Sequence, residues 1–150
     1  MRGFAVTQAE IVDLDDLAPM FDAYRQFYQQ APDLALARNF LFERLSQQQS
    51  AILIARGADR EPLGFTQLYP LFSSISARHI FLLNDLFVRE GARGGGVAQR
   101  LLAEAAAFGR AAGAVRLTLS TAHTNHAAQV LYEKAGWRRD EVFRAYQLQL

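Results

Sequence analysis

The passage LNDLFVREGARGGGVAQRLL, from Leu83 to Leu102, constrains this chain more than any other. An apolar run from His79 to Val88 ends in REGARGGG, and Val97, Leu101, Leu102, Ala105 and Phe108 then recur at helical spacing until Gly113. Strand, glycine loop and helix thus follow one another without a linker. Gly94, Gly95 and Gly96 let backbone N–H groups converge on one point, the helix adds the positive end of its dipole, and Arg93 adds a full charge. Such a passage binds phosphate. It is not a P-loop, since no Gly-Lys-Ser/Thr follows, and Gln99 stands where a third Rossmann glycine would be needed. The apolar run itself is interrupted only by Asn84-Asp85, a polar pair that a central strand has little structural reason to carry.

The rest of the chain alternates short strands and amphipathic helices. Residues 4 to 6 are apolar, and Leu17, Met20, Phe21, Tyr24 and Phe27 then mark a helix, with Asp15 or Asp16 as its cap and Pro19 in or near its first turn. Ala31-Pro32-Asp33 ends that helix and caps a second, striped by Leu36, Phe40, Leu41 and Leu45. Ala51 to Ala55 reads as a buried strand, GADREP as a turn and Leu63 to Leu71 as its hairpin partner, with Pro70 limiting the pairing. After the glycine loop and its helix, Val115 to Ser120 alternates as a strand and Asn125 caps a last helix that Gly136 ends. The tail VFRAYQLQL alternates as a closing strand. This order predicts an α/β (α+β) fold, a mixed, mostly antiparallel central sheet flanked by about four helices. Strands joined by short turns run antiparallel, while strands separated by a helix can be parallel.

Composition narrows the function classes. At 150 residues the chain reads as a single domain, 1–150. With no cysteine, disulfides, thiolate zinc sites, Fe–S clusters and a thiol nucleophile are excluded together. A net charge of +1 does not suit a nucleic-acid partner, and no apolar run approaches the roughly 20 residues that span a bilayer. MRGFAVTQAE lacks the features of a signal peptide, so a cytoplasmic location is expected. The early acid, Glu10, Asp13, Asp15, Asp16 and Asp22, reads as a solvated helix start or, less simply, as a side favouring a cationic ligand.

A second motif, Asn125-x-x-Ala128-x-x-Leu131-Tyr132-x-x-x-Gly136-Trp137, lies one helix and one strand beyond the glycine loop. Together the two motifs resemble the GNAT superfamily of acetyl-coenzyme-A-dependent N-acetyltransferases. Its pyrophosphate motif stands here as Arg93, Gly96 and Ala98, and its Asn-to-Tyr helix as Asn125 to Tyr132. YRQFY, FLFERL, GFTQLYPLFSS, LNDLFV and LYEKAGW most resemble a bacterial branch similar to the yeast Hpa acetyltransferases and to the spermidine/spermine acetyltransferases, although the latter usually carry Glu-Asp where this chain has Asn84-Asp85.

The resemblance implies a GNAT fold with a splayed parallel strand pair, acetyl-CoA as cosubstrate, no metal, a homodimer and a small-molecule amine acceptor. It implies that the amides of Arg93, Gly94, Gly95, Gly96, Val97 and Ala98 hold the pyrophosphate and that the main chain of Phe87 and Val88 pairs with the pantetheine arm. Asn125, at the start of the helix carrying Ala128, is expected to bond the pantetheine. Leu86 N–H is the expected donor to the thioester oxygen, and Tyr132 the general acid at the sulfur.

The chemistry needs such parts on its own account. An amine attacks a thioester only when neutral and becomes cationic as the bond forms, so a proton must leave, and the departing thiolate gains from a nearby donor. Without cysteine, direct transfer in a ternary complex is expected. Asp85 is read as base, as ligand of the acceptor ammonium, or as a satisfied buried carboxylate; Asn84 would orient the substrate. Tyr24 and Tyr28, with Tyr69, Phe72 and Tyr146, offer aromatic walls for a cation or plain packing. His123 and His126 have ligand spacing but no third ligand, and His79 reads as structural. A non-catalytic CoA-binding sensor and an acetyltransferase of protein amines are the alternatives.

Overall fold

The computed structural model describes residues 3–150; the first two residues of the MRGFAVTQAE stretch lie outside them. The chain forms two compact units, one ending at Ser120 and the other spanning Thr121–Leu150.

In the first unit, β1 (Phe4–Gln8) leads through a single 3-10 turn, Ile11–Asp13, into α1 (Leu14–Phe27) and α2 (Leu34–Ser46). Next come β2 (Ala51–Gly57), β3 (Pro62–Ser73) and β4 (Arg78–Val88), then α3 (Val97–Ala111) and the short β5 (Leu117–Thr118). The five strands form one sheet in the order β1-β2-β3-β4-β5, antiparallel except for the parallel pair β4-β5. Parity explains both directions. One intervening helix, α3, returns the chain so that β5 runs with β4, whereas two helices between β1 and β2 leave those strands opposed.

Strand alternation divides the core. Ile52, Ile54 and Phe65 turn to the face covered by α1 and α2, where they pack with Leu14, Leu17, Met20, Phe21, Ala37 and Leu41. Buried Val97, Leu101, Leu102 and Ala105 of α3 serve the other face, where Phe108 meets Phe81 at 5.5 Å between ring centroids. Phe65 is 1% exposed and meets Phe21, Tyr24 and Phe87 at centroid distances of 6.3, 6.2 and 6.1 Å. Phe65→Ala is expected to destabilise the protein by about 3–5 kcal/mol, measured by urea unfolding. A loss under about 1 kcal/mol would mean that this ring cluster is not the core of the α1–α2 face.

Three boundaries differ from the sequence expectation. Neither Asp15 nor Asp16 caps α1: the preceding turn brings Asp13 to that position, where its carboxylate accepts from Glu10 N–H at 2.8 Å, and Pro19 lies inside the helix beyond the first turn. The early acids hold arginines. Arg56 donates to Asp13 and Asp16, both at 2.7 Å, Arg38 to Asp15 at 3.0 Å and Arg25 to Asp22 at 2.9 Å. α1 stops at Phe27, with Gln29 left-handed at φ 67°, whereas the cap of α2 falls as expected, Asp33 accepting from Leu36 N–H at 3.0 Å. The strand expected over 115–120 pairs only at Leu117–Thr118.

The second unit holds α4 (His126–Lys134) with Asn125 as cap, accepting from Ala128 N–H at 3.2 Å, and Gly136 in the left-handed region just past the helix. The tail VFRAYQLQL, expected as a closing strand, forms none; Val142, Phe143, Tyr146, Leu148 and Leu150 are all exposed. Alternation makes a segment fit to be a strand, but only a neighbouring edge can take up its N–H and C=O groups. No helix among the described residues is long and apolar enough to cross a membrane.

Candidate active site

β4 carries the central irregularity. Leu83 pairs with Leu68 and Asp85 with Gln67, so Asn84 is an extra residue without a partner, a bulge in the middle of the strand. Two side chains take up carbonyls there: the Tyr24 hydroxyl donates to Asn84 O at 3.0 Å and the Thr66 hydroxyl to Asp85 O at 2.7 Å. Asn84 itself is exposed, while Asp85 turns inward on the face of Phe65 and is 1% exposed.

The Asp85 carboxylate accepts from Gln67 Nε2 at 2.6 Å and from Asn84 Nδ2 at 2.8 Å. Gln67, 0% exposed, uses its other end to accept from the Ser50 hydroxyl at 2.8 Å. Among the described residues no cation forms an ion pair with Asp85. Burial therefore raises its pKa above the usual carboxylate range, offset only in part by the bonds from Asn84 and Gln67. Burial, and then the Asp85 charge, also push the Tyr69 phenol up, which keeps it protonated.

Beyond Asp85 the strand runs toward the glycine loop with one edge open. Leu86, Phe87 and Val88 pair with Thr66, Phe65 and Gly64 of β3, whereas β5 pairs with β4 only at Phe81 and Leu82. The two parallel strands are thus joined at one end only. Gly64 is required on the paired side, because a Cβ there would stand 2.5 Å from Phe87 O.

The loop turns through a 3-10 segment, Glu90–Ala92, and Arg93 reaches back to donate from Nε to Val88 O at 3.0 Å. Gly96 caps α3 at φ 84° and Gly94 has φ 82°, a region that side chains with a Cβ rarely adopt. Arg100 N–H bonds Gly96 O at 3.0 Å, so the amides before it, up to the start of the helix at Val97 and Ala98, are those a helix leaves without an internal acceptor. With Gly94 and Gly95 they form a set of donors that fits a pyrophosphate. Beside the loop, a cleft of about 750 Å³ is lined by Asp16, Met20 and Phe27 of α1, and by Phe87, Arg89 and Arg93.

Of the residues read as acceptor side, Tyr24, Asn84 and Asp85 come together at the bulge, while Tyr28 stands beside Tyr24 at 5.1 Å between ring centroids and is 47% exposed. Phe72 lies at the far end of the hairpin, its ring tilted against that of His79 at 4.7 Å between centroids. In the second unit, Tyr132 is half-buried with its ring 6.1 Å from that of Trp137, and His126 and Tyr146 are exposed. Gln67 and Ser50 were not legible as site residues. The available signal is Thr66-Gln67, a polar pair inside a hairpin strand between Phe65 and Leu68.

Comparisons with known proteins bear on the family and the fold. Residues 15–137 match the Acetyltransferase (GNAT) family. The chain is 47% identical to the uncharacterized N-acetyltransferase YhfO of Bacillus subtilis, over 94% of each chain. A crystal structure of a probable acetyltransferase superposes with a TM-score of 0.93 at 41% identity, covering 97% of both chains. An aminoglycoside N-acetyltransferase in complex with CoA gives a TM-score of 0.82 over 100% of this chain and 97% of that one, and at 19% identity that likeness is one of fold.

Proposed function

The chain belongs to the GNAT family of acetyltransferases, and from that premise we propose that it moves an acetyl group to the primary amine of a small molecule by direct transfer in a ternary complex. The observation that carries this reading is the buried Asp85 carboxylate, without a cation of its own, one residue before the open edge of β4. An uncompensated buried charge calls for a positive partner or a proton, and an acceptor ammonium supplies both.

Acetyl-CoA, which the family uses, supplies an acetyl group activated as a thioester. In the proposed mechanism the amides from Gly94 to Ala98 bind the pyrophosphate and the main chain of Phe87 and Val88 aligns the pantetheine arm. Asn125 and Ala128 support that arm from α4. Asp85 attracts the ammonium and accepts its proton, Asn84 and Tyr28 help orient the acceptor, and Tyr24 holds the bulge from which Asn84 and Asp85 project. Leu86 N–H donates to the developing oxyanion, and Tyr132 protonates the departing sulfur and regains the proton that the attacking nitrogen sheds once its bond to the acetyl carbon has formed. The likeness to the Hpa and polyamine acetyltransferases makes polyamines the first acceptors to try. A second copy of the chain is the proposed partner, supported by the exposed apolar residues of the tail.

Thiol release from acetyl-CoA in the presence of polyamines, amino acids, aminoglycosides, aryl amines and basic peptides tests the reading directly. The chain has no thiol of its own to add background. Release confined to one small-amine class supports it, whereas release with basic peptides alone would replace small molecules by proteins as acceptors. Gly96→Ala, which puts a side chain at φ 84°, should add about 1–2 kcal/mol of strain and weaken CoA binding about tenfold in calorimetric titration. Unchanged affinity would remove the loop from the cofactor site.

A further inference from the structure

The hairpin places an ordered chain of polar groups under α1 and α2: the Ser50 hydroxyl, the Gln67 amide and the Asp85 carboxylate, linked by bonds of 2.8 and 2.6 Å. An ionised carboxylate can only accept, so Gln67 must turn its NH₂ toward Asp85 and its carbonyl oxygen away. That oxygen needs a donor, and Ser50 provides it. A flipped amide would set two oxygens against each other inside the protein, where an unmet polar group is costly.

We propose that Gln67, oriented by the acceptor-only carboxylate and braced at its far oxygen by the Ser50 hydroxyl, is the positioning residue of Asp85 and holds that carboxylate aimed at the acceptor amine. The inference rests on the proposed role of Asp85 in receiving the acceptor. Asn84 shares the task from β4 through its bond to the other carboxylate oxygen, at 2.8 Å. The other polar and charged groups around the carboxylate do not take the place of these two amides. The Tyr69 phenol of β3 stays neutral, Arg44 of α2 acts on Tyr69 while bonding Gln49 and Glu43, and the Tyr24 hydroxyl of α1 is engaged with Asn84 O. No arginine, lysine or histidine among the described residues pairs with Asp85 in place of the amide.

The test is the pH profile of kcat/KM with the acceptor found by the amine panel. Gln67→Leu fills much of the same space but removes the donor, so Asp85 holds its proton to higher pH. Its kcat/KM should fall about tenfold on the acid limb and recover toward wild type as pH rises. Ser50→Ala should act in the same direction by less, and it serves if Gln67→Leu does not fold. In an Asp85→Asn background, Gln67→Leu should change the residual rate less than twofold, because the residue it positions is gone. A loss in Gln67→Leu that is flat across pH, or that persists undiminished in that background, overturns the inference while leaving the role of Asp85 standing. Wild-type activity in Asp85→Asn alone overturns both.

Discussion

Tyr132→Phe should lower kcat by about 10²-fold or more while leaving the Kd for acetyl-CoA within about twofold. The phenyl ring is kept, so the contact with Trp137, 6.1 Å away and tilted by 50°, survives the change. What is lost is one O–H, and with it the proton that the departing thiolate would take. The split between kcat and Kd is the diagnostic, since a packing defect on α4 would loosen cofactor binding and turnover together. Stopped-flow or steady-state thiol release across pH, beside calorimetric titration with CoA, measures both. Turnover equal to wild type at every pH would remove Tyr132 as the acid and leave the sulfur to be protonated by another donor or by water.

The second large effect has opposite signs on activity and stability. Asp85→Asn should reduce kcat/KM by about 10²-fold, since the amide neither attracts an ammonium nor accepts its proton. At neutral and alkaline pH the same variant should be more stable than wild type. Burial raises the Asp85 pKa in the folded protein above its value in the unfolded chain, so over the pH range between the two the folded state binds more protons. Stability then falls as pH rises through that range, and the full penalty of an ionised buried carboxylate is present above it. Asp85→Asn escapes the penalty above that range, and its advantage should vanish at acid pH, where Asp85 is protonated in both states. The new amide can be satisfied, because Gln67 can turn over and Ser50 can then accept instead of donate. Urea unfolding at a series of pH values reads this directly. Wild-type and variant stabilities that run parallel from acid to alkaline pH would show that the carboxylate is not penalised by burial.

Much of the architecture could be read from the chain itself. Asp33 and Asn125 declare helix starts because a side-chain oxygen there meets a backbone N–H two or three residues on, a contact that depends on little else. Gly94 and Gly96 mark the loop for the same local reason, since their φ values exclude most other residues. The hairpin β2-β3-β4 follows from short turns between apolar runs. The start of α1 departs from the sequence expectation because Asp13, Asp15 and Asp16 are all competent caps, and the choice among them is made by the 3-10 turn before the helix and by Arg56 from β2. The tail forms no strand despite its alternation, because alternation has no information about a partner edge.

The amino-acid sequence by itself determined the order of elements as far as α4, the glycine loop, the Asn-to-Tyr helix and the identity of the polar pair in β4. These are set by contacts within a few residues, where backbone geometry and side-chain type act alone. Only the tertiary structure decided that Asn84 is a bulge, that Asp85 turns into the protein without a cation, and that Gln67 and Ser50 stand behind it. Gln67 and Asp85 lie 18 positions apart and Ser50 and Gln67 17 apart, so their meeting depends on hairpin register and on the shift of one residue at the bulge. Register is a property of two strands packed under two helices, and no stretch of the chain carries it alone.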